Sequence, residues 1–496
     1  MPTAKRPSGV ASLGIDIGTQ SLKAAILDDD LKLVATADRG YGPTYPNPGW
    51  AEQSSDLWLD ALRPVIGQAL AASRLTADDI KAVAICGQLD GCVPVDASGA
   101  ALASAIIWMD RRATDEIANI DPRLISERCG LVLDPSHMAA KIAWLSRHHP
   151  DRSRIAKWHQ PVSFLVAALT SEAVMSHSLA STTMLYGVTA RGWDIELLNA
   201  FDIDVRELPG IADEASIAGT ITTRGAELTG LNPGTPVAVG TGDDFSNPLG
   251  CGVCRPGVVA VSLGTAETVA ALSERAIVDY AQLVETHAYP GGLYHLGNPG
   301  WLSGGAIRWA SSLLSIASDH AFSALAATAP AGCDGLTFIP ALTGATAPKW
   351  IAAARGSFIG LSTSHQPAHL ARAVLEGTAF AMRDVIDRLS ALGVPTGRLR
   401  LMGGGARSDV WCQIRADATG RPADVLADGD ASAIGAGLMA AVAAAVSRDI
   451  KTASSAVQHA LREVAPDASM GQTYEAAYRL YRERFAALEP TWSASN

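Results

Sequence analysis

Cysteine, basic charge and long apolar runs are all in short supply in this sequence, and each shortage closes off a class of protein. The seven cysteines in 496 residues, Cys86, Cys92, Cys129, Cys251, Cys254, Cys333 and Cys412, are odd in number and follow no framework spacing. A disulfide scaffold is therefore excluded, and reduced thiols in a cytoplasmic protein are expected. The one C-x-x-C pair, Cys251 and Cys254, has no second ligand pair nearby and reads as two small buried residues. Lys and Arg number 39 against 50 Asp and Glu, a net charge of −11. The basic residues are scattered, so the footprint that nucleic acid or an anionic membrane requires is missing. The longest uncharged stretch, 431–447, is mostly Ala and Gly and falls short of the ~20 apolar residues of a membrane span. It reads as a buried helix. Lys5 and Arg6 precede an apolar stretch broken by Gly14 and Asp16, which reads as a strand and not as an export signal. What is plentiful is glycine, 46 residues, within a chain that is 48% hydrophobic. At ~150 residues per domain, two or three domains with sizeable cores are expected.

The chain opens with strand-forming runs at Ser12–Ile17, Leu22–Leu27 and Leu31–Ala37, separated by a Gly-Thr-Gln turn and by Asp28-Asp29-Asp30. This predicts an antiparallel meander. Ser54 or Ser55 caps a helix to about Ala72, Lys81–Cys86 is a buried strand, and helix resumes from Asp110. Alternating strands and helices predict layered α/β domains. The Gly/Pro/Asn-rich text near 232–250 marks a boundary, giving domains at 1–238 and 239–496. Beyond it GVVAVSLGTAETVAAL repeats the opening order of strand, Gly-Thr, polar residues and strand, so the halves are expected to be related units facing one cleft. From Pro367 the pattern is mostly helical, ending in an amphipathic helix with Tyr474, Tyr478 and Tyr481.

Three strings carry chemistry. Asp16 inside an apolar strand is costly unless paired, hydrated or near a metal, and the turn at Gly18, Thr19, Gln20 and Ser21 offers amides and hydroxyls to an anion. No Gly-Lys-Ser/Thr follows, so this is not a Walker loop, and a plain Gly-turn hairpin is the alternative. Asp243 and Asp244 stand in a glycine-flanked loop at the boundary. One acid there can take a proton from a substrate hydroxyl, one can cap a helix, and the pair allows both. Ser262-Leu263-Gly264-Thr265 and Met402-Gly403-Gly404-Gly405-Ala406-Arg407-Ser408 set glycines at strand ends, where backbone can approach a phosphate or a flat base. Taken singly, each also reads as a turn.

In order, these strings resemble the FGGY family of carbohydrate kinases over nearly the whole chain. Gly356-Ser-Phe-Ile-Gly360-Leu361, seven residues, then His369-Leu-Ala-Arg-Ala-Val-Leu-Glu376 fits the family's C-terminal signature at every position. Ser136 to His148, around Lys141, Trp144 and Leu145, fits the other signature, departing at Met138 where a small polar residue or Pro is usual. Gly49-Trp50-Ala51-Glu52-Gln53, Gly87-Gln88, Ile107-Trp108-Met109-Asp110-Arg111-Arg112, Ser303-Gly304-Gly305 and Asp430 to Gly437 match as well. The resemblance implies two actin-like (RNase H-like) α/β domains with an interdomain active-site cleft that closes on ATP, Mg²⁺ and a sugar.

Residue by residue, the resemblance gives Asp16 the Mg²⁺ shell, Thr19, Gln20 and Ser21 the first phosphate loop, and Asp243 the role of catalytic base, with Gly250 seven residues beyond it. Gly264 and Thr265 match the second phosphate contact, and Gly404, Gly405 and Ser408 the adenosine edge. Gln88, Asp90, Trp108 and Asp244 are the substrate candidates. Departures gather on the acceptor side: xylulokinase-like members usually read Gln-Met-His-Gly where this chain has Gln88-Leu89-Asp90-Gly91, and Asp244 stands where Asn commonly follows the base. The usual Gly-Glu-Arg-x-Pro reads Gly344-Ala345-Thr346-Ala347-Pro348. A carboxylate at 90 favours hydroxyl donors, though Asp before Gly91 is also a turn residue. The extra acids disfavour an anionic acceptor.

The expected activity is therefore ATP-dependent phosphorylation of a terminal primary hydroxyl of a neutral sugar, a ketopentose such as xylulose first. Ribulose, tagatose or erythritol are alternatives, and an actin/chaperone-like ATPase or a non-catalytic sugar sensor would share the fold. No nucleic-acid or membrane partner is expected, and a homodimer is admitted.

Overall fold

The computed structural model describes residues 11–426, 430–457 and 461–493. Among them the first sheet contains β1 (Ala11–Ile17), β2 (Ser21–Leu27), β3 (Leu33–Gly40), β4 (Ile80–Gly87), β5 (Ile217–Thr220), β6 (Pro236–Ala238) and β7 (Thr241–Gly242). The second contains β8 (Val258–Leu263), β9 (Ala266–Ser273), β10 (Glu285–Tyr289), β11 (Leu293–Leu302), β12 (Arg398–Met402), β13 (Ala423–Leu426) and β14 (Arg462–Val464). The helices used below are α1 (Ser55–Ser73), α2 (Met138–His148), α3 (Asp243–Gly250), α4 (Gly304–Leu313), α5 (Pro367–Ala391), α6 (Asp409–Thr419), α7 (Ala431–Ala443) and α8 (Gly471–Ser493).

The two sheets share one design. In the first, β3-β2-β1 is an antiparallel meander, β4 lies parallel to β1, and β6 parallel to β4. In the second, β11-β9-β8 is the meander, β12 lies parallel to β8, and β13 parallel to β12. The repeat read from the Gly-Thr strings is thus a repeat of topology. β1 is central, and Leu13, Ile15 and Ile17 are fully buried along it, as expected for a strand covered on both faces. α1 starts where Ser54 accepts the Asp56 amide and lays Trp58, Leu62, Val65, Ile66 and Ala69 into the same core.

Helices α3 and α7 form the layer between the sheets. Glycine makes their close approach possible: a Cβ at Gly14 would lie 2.0 Å from the Ala433 carbonyl oxygen, one at Gly250 1.9 Å from that of Ala431, and one at Gly435 2.1 Å from that of Ser246. Ala82 and Ala84 of β4 and Ala260 and Leu272 of the second sheet meet in one core through Phe245, Leu249, Leu438 and Met439. Gly14, which interrupts the apolar run of β1, therefore serves packing. The uncharged stretch is indeed a buried helix, ending at Ala443. Two expectations shift. The stretch after Pro367 interleaves β12, β13 and β14 with its helices, and the helix expected from Asp110 is a 3-10 segment, Arg112–Ile117, followed by a helix at Pro122–Cys129.

Strand β10 edges the second sheet and docks on the first half of the chain. The Thr286 amide donates to the Gly130 carbonyl at 2.8 Å, and the Ala288 amide to Ser181 Oγ at 3.0 Å.

Candidate active site

Asp16 lies near the end of β1, opposite Lys23 of β2. Its Oδ1 is buried without a hydrogen-bond partner. Burial pushes the carboxyl up to about 6, against Lys23 and the Cys86 thiol, which pull it down. A desolvated carboxylate oxygen left open at a strand end suits a hydrated cation, because Mg²⁺ binds through one or two carboxylates and keeps several waters. The turn beyond is braced from all sides. The Gly18 amide donates to the Ser21 carbonyl and Tyr41 Oη to the Gly18 carbonyl, both at 2.9 Å. Gln53 Nε2 donates to the Thr19 carbonyl at 2.9 Å, and Trp108 Nε1 to Thr19 Oγ1 at 3.0 Å. Gln53 Oε1 in turn accepts from Trp58 Nε1 at 3.1 Å and Gln88 Nε2 at 2.7 Å. Gln88 is thereby fixed beneath the turn with its own Oε1 buried and unpartnered, while Trp108 leaves 46% of its surface open. Gln20 is exposed and Ser21 begins β2.

The acid pair occupies the first two positions of α3, and the cap is Gly242. The division into a capping and a reacting acid is therefore corrected: neither acid is the cap residue, and it is Asp243, from the first helical position, whose Oδ1 accepts a first-turn amide, that of Asp244 at 3.0 Å. A Cβ at Gly242 would lie 1.9 Å from Leu89 Cδ2, so the acid loop packs closely against residues 88–91. The two carboxyls sit deep between the sheets yet open onto the cleft, since Asp244 remains exposed. They face different neighbours. Burial, then Asp244, then Asp16 hold Asp243 well above the usual carboxylate range. Asp244 is raised by burial and by Asp90, with His287 opposing. Asp243 is thus influenced by Asp244 and Asp16, and Asp244 by His287 and Asp90.

The second turn is locked by α4. The Gly264 amide donates to the Ala266 carbonyl at 3.0 Å, the Ser303 and Gly305 amides to the Thr265 carbonyl at 3.1 and 3.0 Å, and Arg308 Nη2 to Thr265 Oγ1 at 2.8 Å. A Cβ at Gly304 would stand 2.4 Å from the Gly264 carbonyl oxygen. Ser303 Oγ donates to Glu267 Oε2 at 2.7 Å, and Glu267 is paired with Arg415 in full burial. The loop at 403–405 abuts this turn, since a Cβ at Gly403 would lie 3.1 Å from the Leu263 carbonyl oxygen. Gly404 borders open space, whereas Gly405 packs on Trp411, 2.4 Å from a virtual Cβ. Ser408 Oγ accepts the Trp411 amide at 3.2 Å, capping α6, and pairs with Ser323 Oγ at 2.8 Å.

The turn reading of Asp90 is met by its backbone, which leaves the carboxylate for other contacts. Its backbone is a turn, at φ +59°, with the amide donating to Gln160 Oε1 at 3.0 Å and the carbonyl accepting from Lys141 Nζ at 2.5 Å. A Cβ at Gly91 would lie 2.8 Å from the Pro161 ring. The Asp90 carboxylate meets His137 Nδ1 at 3.3 Å. Trp301 is a packed anchor beside Glu267 in the β9–β11 ladder, and His295 is half-buried, its pKa pushed down to about 3 by desolvation of the ring and by the neighbouring His287.

Several residues of the site carried no role in the sequence. Gln53 and Arg308 sit inside or just after matched strings, Gly49 to Gln53 and Ser303-Gly304-Gly305, so a signal existed without an assignment. Tyr41 and Glu285 had none, because only the fold brings them to the cleft. All seven cysteines are free and buried. No helix among the described residues is long and apolar enough to cross a membrane.

Comparison with known proteins agrees with this geometry. Residues 11–250 match the N-terminal domain of the FGGY family of carbohydrate kinases and residues 259–444 its C-terminal domain. The chain is 32% identical to the xylulose kinase of Escherichia coli K12 over 438 residues, covering 87% of this chain and 90% of that one. It is 33% identical to the glycerol kinase of Gloeobacter violaceus over 446 residues, covering 86% and 88%. The solved xylulose kinase of Rhodospirillum rubrum superposes with a TM-score of 0.90 at 30% identity, covering 97% of this chain and 100% of that one. With both family domains matched in order around one cleft between two like-built sheets, the chain belongs to the FGGY family of carbohydrate kinases.

Proposed function

We propose that this kinase transfers the γ-phosphoryl group of ATP to a terminal primary hydroxyl of a neutral ketopentose, xylulose foremost. The observation that carries the reading is the acid pair in the first turn of α3, which β7 sets beside Gly87 of β4, the strand paired with Asp16, and which Gly242 packs against Leu89 next to Asp90. Asp243 takes the proton of the acceptor hydroxyl as that oxygen bonds to the γ-phosphorus and the bridging bond to ADP breaks. Asp244, Asp90, Gln88 and Trp108 hold the acceptor so that this hydroxyl reaches Asp243. Bound Mg²⁺ supplies charge neutralisation on the phosphates, and the orphaned Asp16 Oδ1 is the group that would hold its hydrated shell. The Gly18 and Gly264 amides close their own hairpins, so the next amides, of Thr19 and Thr265, are those we assign to phosphate, with Gln20 and Ser21 beside the first. Gly404 is assigned to the adenosine edge, with Gly405 and Ser408 shaping it. The division expected at 238 and 239 falls just before β7, which joins the first sheet and leads directly into Asp243, so we assign the base to the end of the first unit, and the free thiols fit a cytoplasmic setting.

The glycerol kinase relative favours a second reading, a shorter polyol as acceptor. Coupled ADP release with xylulose, ribulose, tagatose, erythritol and glycerol tests both. Highest kcat/KM on a ketopentose supports the first reading, and highest on glycerol or erythritol the second. ATP hydrolysis that no sugar stimulates would overturn both and favour an actin-like ATPase.

A further inference from the structure

We propose that Asp90, His137 and Glu285 form one acceptor-reading chain, in which His137, anchored from the second half of the molecule by Glu285, aims the Asp90 carboxylate at a donor hydroxyl of a neutral polyhydroxy acceptor. This rests on the kinase reading above and adds His137 and Glu285 as positioning residues. The backbone of Asp90 is pinned at both amide and carbonyl, so only its carboxylate is free to turn, and Oδ1 is held by His137 Nδ1 at 3.3 Å. His137 is buried, just before α2, and its other ring nitrogen lies 3.8 Å from Glu285 Oε1. An imidazole hydrogen-bonded to one carboxylate at Nδ1 and within ion-pair distance of a second at Nε2 is favoured in its doubly protonated, charged form. Its pKa follows this geometry: burial would lower it, but Asp90 and Glu285 outweigh burial and hold it well above the ordinary value.

Glu285 is itself fixed. Oε1 accepts the Val132 amide at 2.9 Å, and Oε2 lies 3.7 Å from His287 Nε2. It stands on β10, the edge strand that docks on the first half at Gly130 and Ser181. The acceptor floor is therefore completed by a strand of the other half of the molecule. Lys141, donating to the Asp90 and Ser136 carbonyls, faces the same group from α2, and Asp244 faces it from α3. Such a buried chain of ionised groups does little for stability by itself. A hydroxyl brings a donor to the aimed carboxylate, whereas an acceptor carboxylate at the same position brings only lone pairs and like charge.

The test is steady-state kinetics of the full chain on its best neutral acceptor and on gluconate, for Asp90→Asn, His137→Gln, Glu285→Gln and the double variant Asp90→Asn/His137→Gln. Asn tolerates the positive φ at 90. Asp90→Asn is expected to raise the acceptor KM about tenfold or more and to narrow the preference over gluconate. kcat and the ATP KM should stay within about twofold. His137→Gln and Glu285→Gln should move the same constants in the same direction by roughly three- to tenfold, and the double variant should be no worse than Asp90→Asn alone, because one chain can be cut only once. Additive losses, an unmoved acceptor KM, or an ATP KM that rises in step would overturn the chain. If His137→Gln does not fold, Glu285→Gln cuts the same link from the other half and decides alone. An active wild type with unmoved variants overturns this inference only, whereas a wild type that no neutral acceptor stimulates overturns the kinase reading beneath it.

Discussion

The two Gly-Thr turns of this molecule are built alike and charged differently. In the first, Asp16 pairs in register with Lys23 across the hairpin. In the second, the position before Leu263 is Ser262, opposite Thr268. Both turns close through a glycine amide, Gly18 to Ser21 and Gly264 to Ala266. The scaffold is common, and the strand-end acid is confined to one copy; the second hairpin instead carries Glu267, buried and paired with Arg415, and receives Arg308 at Thr265. On the proposed reading a repeated hairpin is divided into a cation side and a phosphate side, with site chemistry grafted onto a fold and not dictated by it. The acid pair lies between the turns on α3, outside both hairpins.

The largest effect should come from that position. Asp243→Asn is expected to lower kcat by ~10² to 10⁴ with ATP binding retained, as for loss of a general base. Asp244→Asn should act mainly on the acceptor KM. The reverse result, with Asp243→Asn near wild type and Asp244→Asn inactive, would exchange the two roles. Next in size, Asp16→Asn should weaken apparent Mg²⁺ affinity by about 10- to 100-fold, read from Mg²⁺ titrations of the rate, while Ser262→Ala at the equivalent strand position leaves it unchanged. Equal losses at the two positions would erase the division between the turns.

The first turn should also carry a pH signature of its own. The Asp16 carboxyl is raised to about 6 in the folded chain, so the folded state holds this proton more tightly than the unfolded state does. The stability this gives is fully present below about 4 and is lost as pH rises through about 6. Without Mg²⁺, Tm should fall across that window, and Asp16→Asn should flatten the fall. Saturating Mg²⁺, binding the ionised form, should oppose it. A Tm profile identical in wild type and Asp16→Asn would show that Asp16 does not titrate there.

Much of this was legible in the sequence, for physical reasons that differ from region to region. The opening meander was readable because apolar runs alternate with Gly and Asp turns, and the observed strands fall within about three residues of the expected ones. An acid inside an apolar strand announced Asp16. Beyond Pro367 helical text masked β12 and β13, which are short and hidden among Ala-rich neighbours. Glycine was read too uniformly. Gly14, Gly250 and Gly435 allow α3, α7 and β1 to touch, a need that arises only when distant segments meet. The Asp90–His137–Glu285 chain was illegible for the same reason, since its members lie on separate elements, one of them in the second sheet.

The smallest effects concern the two threonines, and they sharpen the comparison most finely. Thr19 Oγ1 accepts from Trp108, which we assign to the acceptor side of the cleft, whereas Thr265 Oγ1 accepts from Arg308 of α4, on the side we assign to the nucleotide. Replacing either by Val keeps the shape and removes one hydrogen bond. Such a bond is worth ~0.5 to 1.5 kcal/mol, or roughly two- to twelvefold, with the bond to charged Arg308 toward the upper end. Thr19→Val should release the Trp108 ring and raise chiefly the acceptor KM. Thr265→Val should leave Arg308 without this partner and raise chiefly the ATP KM. Initial rates measured over a grid of both substrates separate the two constants. If both variants raise the same KM, the turns do not face different substrates, and the likeness of their hairpins extends to their function after all.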